Sequence, residues 1–103
     1  MYTCRGTVIY ISDEQVINDT LSKKVLAIQT EEDDRPQYLS FELFNNNMQM
    51  AEQFKLEDRV SVTFFIRGTK SDKAGGPYFY NSLRPTKISK SKKPKEEESE
   101  INE

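Results

Sequence analysis

The 103-residue sequence contains no histidine and only one cysteine, and each of these facts excludes certain kinds of site. With one cysteine and no histidine, a single chain cannot build a zinc cluster, and without histidine it cannot build a histidine-based catalytic centre. Cys4 has no internal disulfide partner, and because it stands before an apolar stretch we interpret it as a buried packing residue. No spaced set of carboxylates marks a metal or acid–base site. The sequence therefore predicts no enzymatic activity and no cofactor.

Long hydrophobic runs are also missing. No apolar stretch is long enough to span a membrane, and the N-terminus lacks the basic-then-apolar pattern of a secretion signal, so we expect a cytoplasmic protein without membrane contact. The hydrophobic content of 35% is low, and all but one of the hydrophobic residues lie in residues 1–88. This distribution predicts one small domain over residues 1–88 and a disordered polar tail over residues 89–103.

The two signs of charge are segregated along the chain. Five of the 17 acidic residues lie in residues 96–103, so residues 1–95 carry 15 basic against 12 acidic side chains. A second acidic block occupies residues 31–34. The basic residues that fall near the two C-terminal strands are Arg67, Lys70, Lys73, Arg84 and Lys87. We therefore expect a mildly basic body followed by an acidic tail.

The clearest strand lies within residues 56–68. One set of alternating residues is apolar and predicts a core face, namely Val60, Val62, Phe64 and Ile66. The other set is polar except for Phe65, which stands between Thr63 and Arg67. An aromatic side chain on this outer face has three open explanations: ligand stacking, a subunit interface, or packing beneath a loop.

Four further strands are predicted, over residues 2–12, 23–30, 38–45 and 78–88. Gly6 would permit a strong bend in the first of them. Residues 13–22 fit either a loop or a continued strand, residues 31–37 connect a hairpin, and the Gly- and Lys-rich residues 69–77 predict a mobile loop. A short helix is expected over residues 47–54, capped by asparagine and packed through Met48, Ala51 and either Phe54 or Met50.

This order predicts an all-β protein: a five-stranded Greek-key OB-fold barrel with one short helix between strands 3 and 4. Several parts of the chain resemble a family of small bacterial and phage OB-fold proteins. These parts are the residues Phe41, Glu42, Leu43 and Phe44, the helix at 48–54 and the strands at 58–67 and 80–88. That family is related to single-stranded-DNA-binding proteins. It typically has an F-E-V-F-like third strand, a G-D-x-V-x-V-x-F fourth strand and a fifth strand ending like I-R-A-W-K-I.

The chain departs from this pattern at two positions. Glu57 precedes Asp58 where the family has Gly-Asp, and Thr86 stands where an aromatic residue is usual. The resemblance implies a polar C-terminal extension that docks on replication or repair proteins. The candidate docking residues are Glu96, Glu97, Glu98, Glu100 and Ile101, with two polar residues following Ile101. The same tail could instead solubilise the chain, or compete with nucleic acid as a tethered polyanion.

The residues and the resemblance together predict a sequence-independent single-stranded DNA-binding protein of replication, recombination or repair, in a bacterial cell or a phage-infected bacterium. Single-strand binders combine aromatic faces, on which bases stack, with a basic groove along the phosphates. Candidate stacking residues are Phe65, Tyr38, Tyr78 and Tyr80, and candidate phosphate contacts are Arg67, Lys70, Lys73, Arg84 and Lys87. A single domain of this size offers only a short binding site for a strand, so we expect a homo-oligomer, formed through an exposed strand edge.

The sequence is compatible with several alternatives. In the last strand, Tyr78 and Tyr80 share one face and Phe79 the other, so one register buries Phe79 and the other buries the tyrosines. The lysines also fit an ordinary solvated surface. The same fold could serve as a protein-interaction module, an adaptor or scaffold with little affinity for nucleic acid, and an RNA-binding role is a variant of the first hypothesis.

Overall fold

The structure is a computed structural model that describes residues 1–30 and 34–91, and these residues are mostly β. A short helical segment joins the fourth and fifth strands, as a 3-10 turn (Asn45–Met48) followed by helix α1 (Gln49–Glu52). The expected β-rich chain with one short helix is confirmed. The strands are β1 (Tyr2–Ile11), β2 (Gln15–Asn18), β3 (Leu21–Thr30), β4 (Tyr38–Phe44), β5 (Arg59–Ser71) and β6 (Tyr78–Lys90).

Five of these strands are hydrogen-bonded in a closed ring. β1 pairs antiparallel with both β3 and β5, β3 pairs with β4, and β5 pairs with β6. A parallel contact between Phe41 of β4 and Leu83 of β6 closes the ring. β2 pairs only with β3 and is the end strand of the sheet in the described part of the chain. Residues 13–22, which fitted either a loop or a strand, thus contain a short extra strand.

Gly6 is the residue at which β1 passes from one partner strand to the other. It pairs with Val60 of β5 and with Thr30 of β3. A Cβ atom at this position would lie 2.4 Å from the backbone oxygen of Gln29. Glycine is therefore required because the β3 backbone approaches β1 too closely for any side chain.

Replacing Gly6 with alanine should lower the free energy of unfolding by about 1–3 kcal/mol, because the added methyl group must displace the β3 backbone. Gly68→Ala is the matched control, since a Cβ there would lie at an ordinary contact distance of 3.5 Å from Oδ1 of Asn81. Urea denaturation of both variants measures the difference. Equal losses would contradict the close approach of β1 and β3.

The core lies inside the ring. Phe41 and Phe64 contact each other edge to face, with ring centroids 5.2 Å apart. Cys4, Ala51 and Phe54 are buried beside them, which confirms the packing roles predicted for the cysteine and for the helix. The fully buried large side chains come from four strands and are Phe41, Leu26, Ile28, Leu43, Val8, Val60 and Val62.

The predicted asparagine cap is wrong. The residue that precedes the 3-10 turn is Phe44, and no side chain caps it. Asn45 instead adopts φ 51°, a left-handed conformation that asparagine tolerates, and its Oδ1 accepts a hydrogen bond from the backbone N–H of Ser22 at 3.0 Å. The side chain thus joins β3 to the end of β4. The helix also ends at Glu52, before the predicted residue 54.

Strand β5 ends later than predicted, beyond residue 68, and strand β6 ends later than predicted, beyond residue 88. Residues 69–71, expected in the loop, belong to β5. β6 continues to Lys90, beyond residue 88, and the N–H of Ser91 donates to the backbone oxygen of Arg59 at 2.8 Å. The predicted tail residues Glu96, Glu97, Glu98, Glu100 and Ile101 lie outside the described residues.

Candidate functional site

Beyond the ring, β5 and β6 continue as a two-stranded ribbon. The pairing of β1 with β5 reaches Phe64, and β4 pairs with β6 at Leu83. Farther out, β5 and β6 pair only with each other, as far as the Ser71–Tyr78 pair. Because no third strand pairs with this ribbon in the described chain, side chains on both of its faces remain exposed.

The ribbon overturns two predictions from strand alternation. Ile66 was expected in the core with Phe64, but it is 48% exposed. The two registers considered for β6 would have buried either Phe79 or the tyrosines. All three are exposed, Tyr78 at 42%, Phe79 at 69% and Tyr80 at 57%. Alternation correctly divides the side chains of the ribbon between two faces, but neither face packs against the core.

One face of the ribbon collects most of the predicted site residues. Residues directly opposite in an antiparallel pair project to the same face. We call this face the aromatic–basic face and define it by Phe65, Arg67, Tyr78, Tyr80 and Arg84. The register that places them together pairs Phe65 with Arg84, Arg67 with Ser82, Thr69 with Tyr80, and Ser71 with Tyr78.

The other face of the ribbon is different in composition. Ile66 pairs with Leu83, and Lys70 pairs with Phe79. We call it the opposite face and define it by Ile66, Lys70 and Phe79. The ammonium of Lys70 lies 3.5 Å from Oδ1 of Asp72, so its charge is partly balanced. Lys70 therefore does not share a surface with the predicted stacking residues.

The four predicted stacking residues occupy different positions. Phe65 is 39% exposed and lies directly across the ladder from Arg84. Tyr80 is 57% exposed on the ribbon. Tyr78 lies against the loop at the tip of the ribbon, because a Cβ added to Gly75 would be 2.9 Å from the Tyr78 hydroxyl. Tyr38 is on β4, 65% exposed, three residues before the Phe41–Leu83 contact. The structure brings together Phe65, Tyr78 and Tyr80 and leaves Tyr38 on a separate strand.

The five residues predicted to contact phosphate also lie on different parts of the structure. Arg67 and Arg84 belong to the aromatic–basic face, and Lys87 pairs with Thr63 on the outer side of β5 that also carries Phe65. Lys70 is on the opposite face. Lys73 lies in the connection between the strands, where its carbonyl accepts a hydrogen bond from Gly76 at 2.8 Å.

A polar network missed by the sequence prediction crosses the contact between β4 and β6. The ammonium of Lys23 lies 2.8 Å from Oε2 of Glu42, and the hydroxyl of Ser82 donates to Oε1 of the same carboxylate. Nε of Arg84 donates to Oγ of Ser82 at 2.7 Å. The guanidinium carbon of Arg84 lies 4.2 Å from the ring centroid of Phe44. In the sequence, Glu42 and Phe44 alternate with the apolar residues Phe41 and Leu43, and this alternation was the available signal that they lie outside the core.

This network holds the pKa of Glu42 below its ordinary value. The hydrogen bond from Lys23 is the largest cause, followed by the one from Ser82, and the charges of Lys23 and Arg84 act in the same direction. Burial opposes them by favouring the neutral acid. The carboxylate is therefore charged at neutral pH and stabilises the contact between β4 and β6.

The lowered pKa predicts an acid-dependent loss of stability. The folded chain binds the proton more weakly than the unfolded chain, so the contribution of Glu42 is present above its ordinary pKa of 4.5 and is lost as pH falls through the lower folded value. Wild-type protein should exceed Glu42→Gln in urea midpoint at pH 7, and the gap should close toward pH 3. A gap that stays constant with pH would refute this role.

Two open cavities, of about 460 and 500 Å³, are lined by residues outside the predicted site. Within residues 1–30 and 34–91, no three His, Cys, Asp or Glu side chains are grouped so that they could hold a metal ion. The described chain also has no helix of the length and apolarity that a membrane crossing requires.

The fold and the candidate site together define a mostly β protein with a strand ring and an exposed ribbon that carries aromatic and basic residues. The chain belongs to the family described as a domain of unknown function, DUF3127, whose model matches residues 3–89. No curated protein matches the chain. The matched range includes all of β5 and nearly all of β6, so the ribbon is part of the family domain.

Proposed function

We propose that this protein binds single-stranded DNA without sequence preference. The observation that supports the proposal most strongly is the aromatic–basic face, where Phe65, Tyr78 and Tyr80 share one exposed surface with Arg67 and Arg84. Every base has a π-face on which an aromatic ring can stack, and every nucleotide carries a phosphate, so such a surface binds strands of any sequence. The proposal assigns no reaction to the protein.

The strand connections support an OB-fold for this chain. β1, β3 and β4 follow one another as antiparallel neighbours, and β5 returns through the helical segment to pair beside β1. This spatial order, with the fourth strand beside the first, is that of a Greek key. With β6 completing the ring, we propose a five-stranded Greek-key barrel of the OB type, to which β2 is added at one edge.

The ribbon extends the surface available to a strand. Tyr78 and Phe65 lie at opposite ends of the aromatic–basic face, six ladder positions apart, since Phe65 pairs with Arg84 and Tyr78 with Ser71. At about 3.3 Å per strand residue this separation is roughly 20 Å, enough for three or four nucleotides. A site of this size favours assembly of several copies on one strand. We propose a homo-oligomer that acts in replication, recombination or repair in the cytoplasm of a bacterial cell or a phage-infected bacterium.

A protein-interaction module is the second candidate. It is favoured by exposed apolar residues outside the aromatic–basic face, since Ile66 and Phe79 on the opposite face and Val16 on β2 are 48%, 69% and 72% exposed. Such residues suit a protein partner better than a phosphate backbone. This candidate predicts recovery of one stoichiometric protein and no measurable affinity for oligonucleotides.

Fluorescence anisotropy with a labelled oligo-dT strand tests the proposal. We expect binding that weakens with salt, with a slope of log K against log [salt] between about −1 and −2, because each phosphate contact on a single strand contributes about −0.7. Duplex DNA of the same length should bind more weakly, since its bases cannot stack on the protein. RNA of matched sequence distinguishes the RNA-binding variant.

Binding to oligo-dT is also measured with a chain that lacks the acidic tail. A chain ending at Lys95 lacks the five glutamates of residues 96–103 and therefore lacks a tethered competitor for the basic surface. If neither the full chain nor this shorter chain binds oligo-dT at low salt, the DNA-binding proposal is wrong and the interaction module replaces it.

A further inference from the structure

The contact between β4 and β6 contains an aromatic ring and a guanidinium that are already stacked. The guanidinium carbon of Arg84 lies 4.2 Å from the ring centroid of Phe44, within the range of a cation–π contact. Phe44 is half-buried at the end of β4. The pair spans the parallel contact that closes the ring of strands.

The position of Arg84 is fixed by hydrogen bonds as well as by the ring. Its Nε donates to Oγ of Ser82 at 2.7 Å, and Ser82 in turn donates to the carboxylate of Glu42. Glu42 is held from the other side by Lys23 at 2.8 Å. A long side chain that is already ordered loses less conformational freedom when a ligand binds.

The charge of Arg84 is also partly balanced, unlike that of Arg67. Glu42 interacts electrostatically with Arg84, whereas Arg67 makes no ion pair with any described residue. A phosphate gains less from a cation that already has an acidic neighbour. The flat guanidinium surface of Arg84 is unaffected by this balance, and such planes stack on unpaired bases.

We infer that Phe44 and Arg84 form a preassembled platform for one unpaired nucleobase, with Arg84 in contact with the base and Phe44 as the positioning residue beneath it. Phe65, directly across the ladder from Arg84, lies beside this platform. Arg67 then contacts the adjoining phosphate. The inference rests on the proposed single-strand binding, and it changes the expected role of Arg84 from phosphate contact to base stacking.

Two conservative substitutions in the full-length chain separate stacking from charge. Arg84→Lys keeps the positive charge and removes the plane, and Phe44→Leu keeps an apolar side chain and removes the ring. Each should weaken oligo-dT binding by about 5- to 30-fold, in keeping with one lost base stack. The salt slope should stay unchanged in both variants. Arg67→Ala, by contrast, should reduce the slope by about 0.7.

An abasic oligonucleotide tests the base contact itself. The same strand with abasic sites should bind wild type more weakly, and on this strand Arg84→Lys and Phe44→Leu should cost less than about 2-fold because the stacking partner is missing. Circular dichroism and urea midpoints of both variants verify that they are folded. If a variant is unfolded, Phe44→Tyr is measured beside wild type, because it retains the aromatic ring. The loss of affinity that abasic sites cause should then be the same for Phe44→Tyr as for wild type.

The outcomes distinguish the inference from the function on which it rests. If neither wild type nor the chain ending at Lys95 binds oligo-dT, the proposed function is wrong. If wild type binds but Arg84→Lys and Phe44→Leu bind equally well, the platform alone is refuted. A lowered salt slope in Arg84→Lys would also refute it, because that result would return Arg84 to the phosphates.

Discussion

Replacing Phe41 with alanine should lower the free energy of unfolding by about 3–5 kcal/mol, the usual cost of removing a buried phenylalanine ring. Phe41 is fully buried, and it stands at the position where β4 pairs with β3 on one side and with β6 on the other. Its ring also contacts Phe64 at 5.2 Å. Small domains are stable by only about 5–15 kcal/mol, so the variant should be close to unfolding at 37 °C.

The matched control for Phe41 comes from the same strand. Tyr38 is 65% exposed on the outer side of β4, and Tyr38→Ala should change the free energy of unfolding by less than about 0.5 kcal/mol. Urea denaturation followed by circular dichroism measures both variants. Comparable losses would mean that Phe41 does not lie at the centre of a closed ring of strands.

Removing two aromatic side chains from the aromatic–basic face should weaken binding to oligo-dT by more than about 30-fold, since each base stack contributes about 1–3 kcal/mol. The variant is the double substitution Phe65→Ala with Tyr80→Ala. Both residues are exposed, at 39% and 57%, so the folded state should be little affected. Fluorescence anisotropy at fixed salt gives the affinities.

The ribbon provides a control of the same size on its other face. Ile66→Ala with Phe79→Ala also removes one large side chain from β5 and one from β6, and each residue is the chain neighbour of a residue in the test variant. The DNA proposal predicts less than about a 2-fold change, because these side chains project away from the bound strand. If this control loses as much affinity as the test variant, binding is not confined to the aromatic–basic face.

Much of the core could be predicted from alternation alone. Phe41 and Leu43 in β4, and Val60, Val62 and Phe64 in β5, alternate with residues that are polar except for Phe44 and Phe65, and all five are buried. This works because a strand inside the ring has one face toward the core throughout its length. The glycine at position 6 was likewise informative, because close packing of two backbones leaves few other choices of residue.

The ribbon could not be predicted in this way because its exposure depends on where neighbouring strands end. Ile66 continues the apolar alternation of Val62 and Phe64, yet the pairing of β1 has stopped at Phe64. The same lack of a third strand leaves Phe79 and Tyr80 both exposed. Local sequence also gave no sign that Arg84 stacks on Phe44, since that contact depends on how β6 lies against β4.

The most direct test of single-strand binding by the aromatic–basic face is ultraviolet crosslinking of the full chain to oligo-dT, followed by mass spectrometry of the crosslinked peptides. Thymine in contact with an aromatic ring forms a covalent adduct, so the adduct identifies the stacking residue. The account predicts adducts on Phe65 and Tyr80, which lie on one face of the ribbon. Adducts confined to Phe79 or to residues outside the ribbon, or none at saturating oligonucleotide, would contradict it.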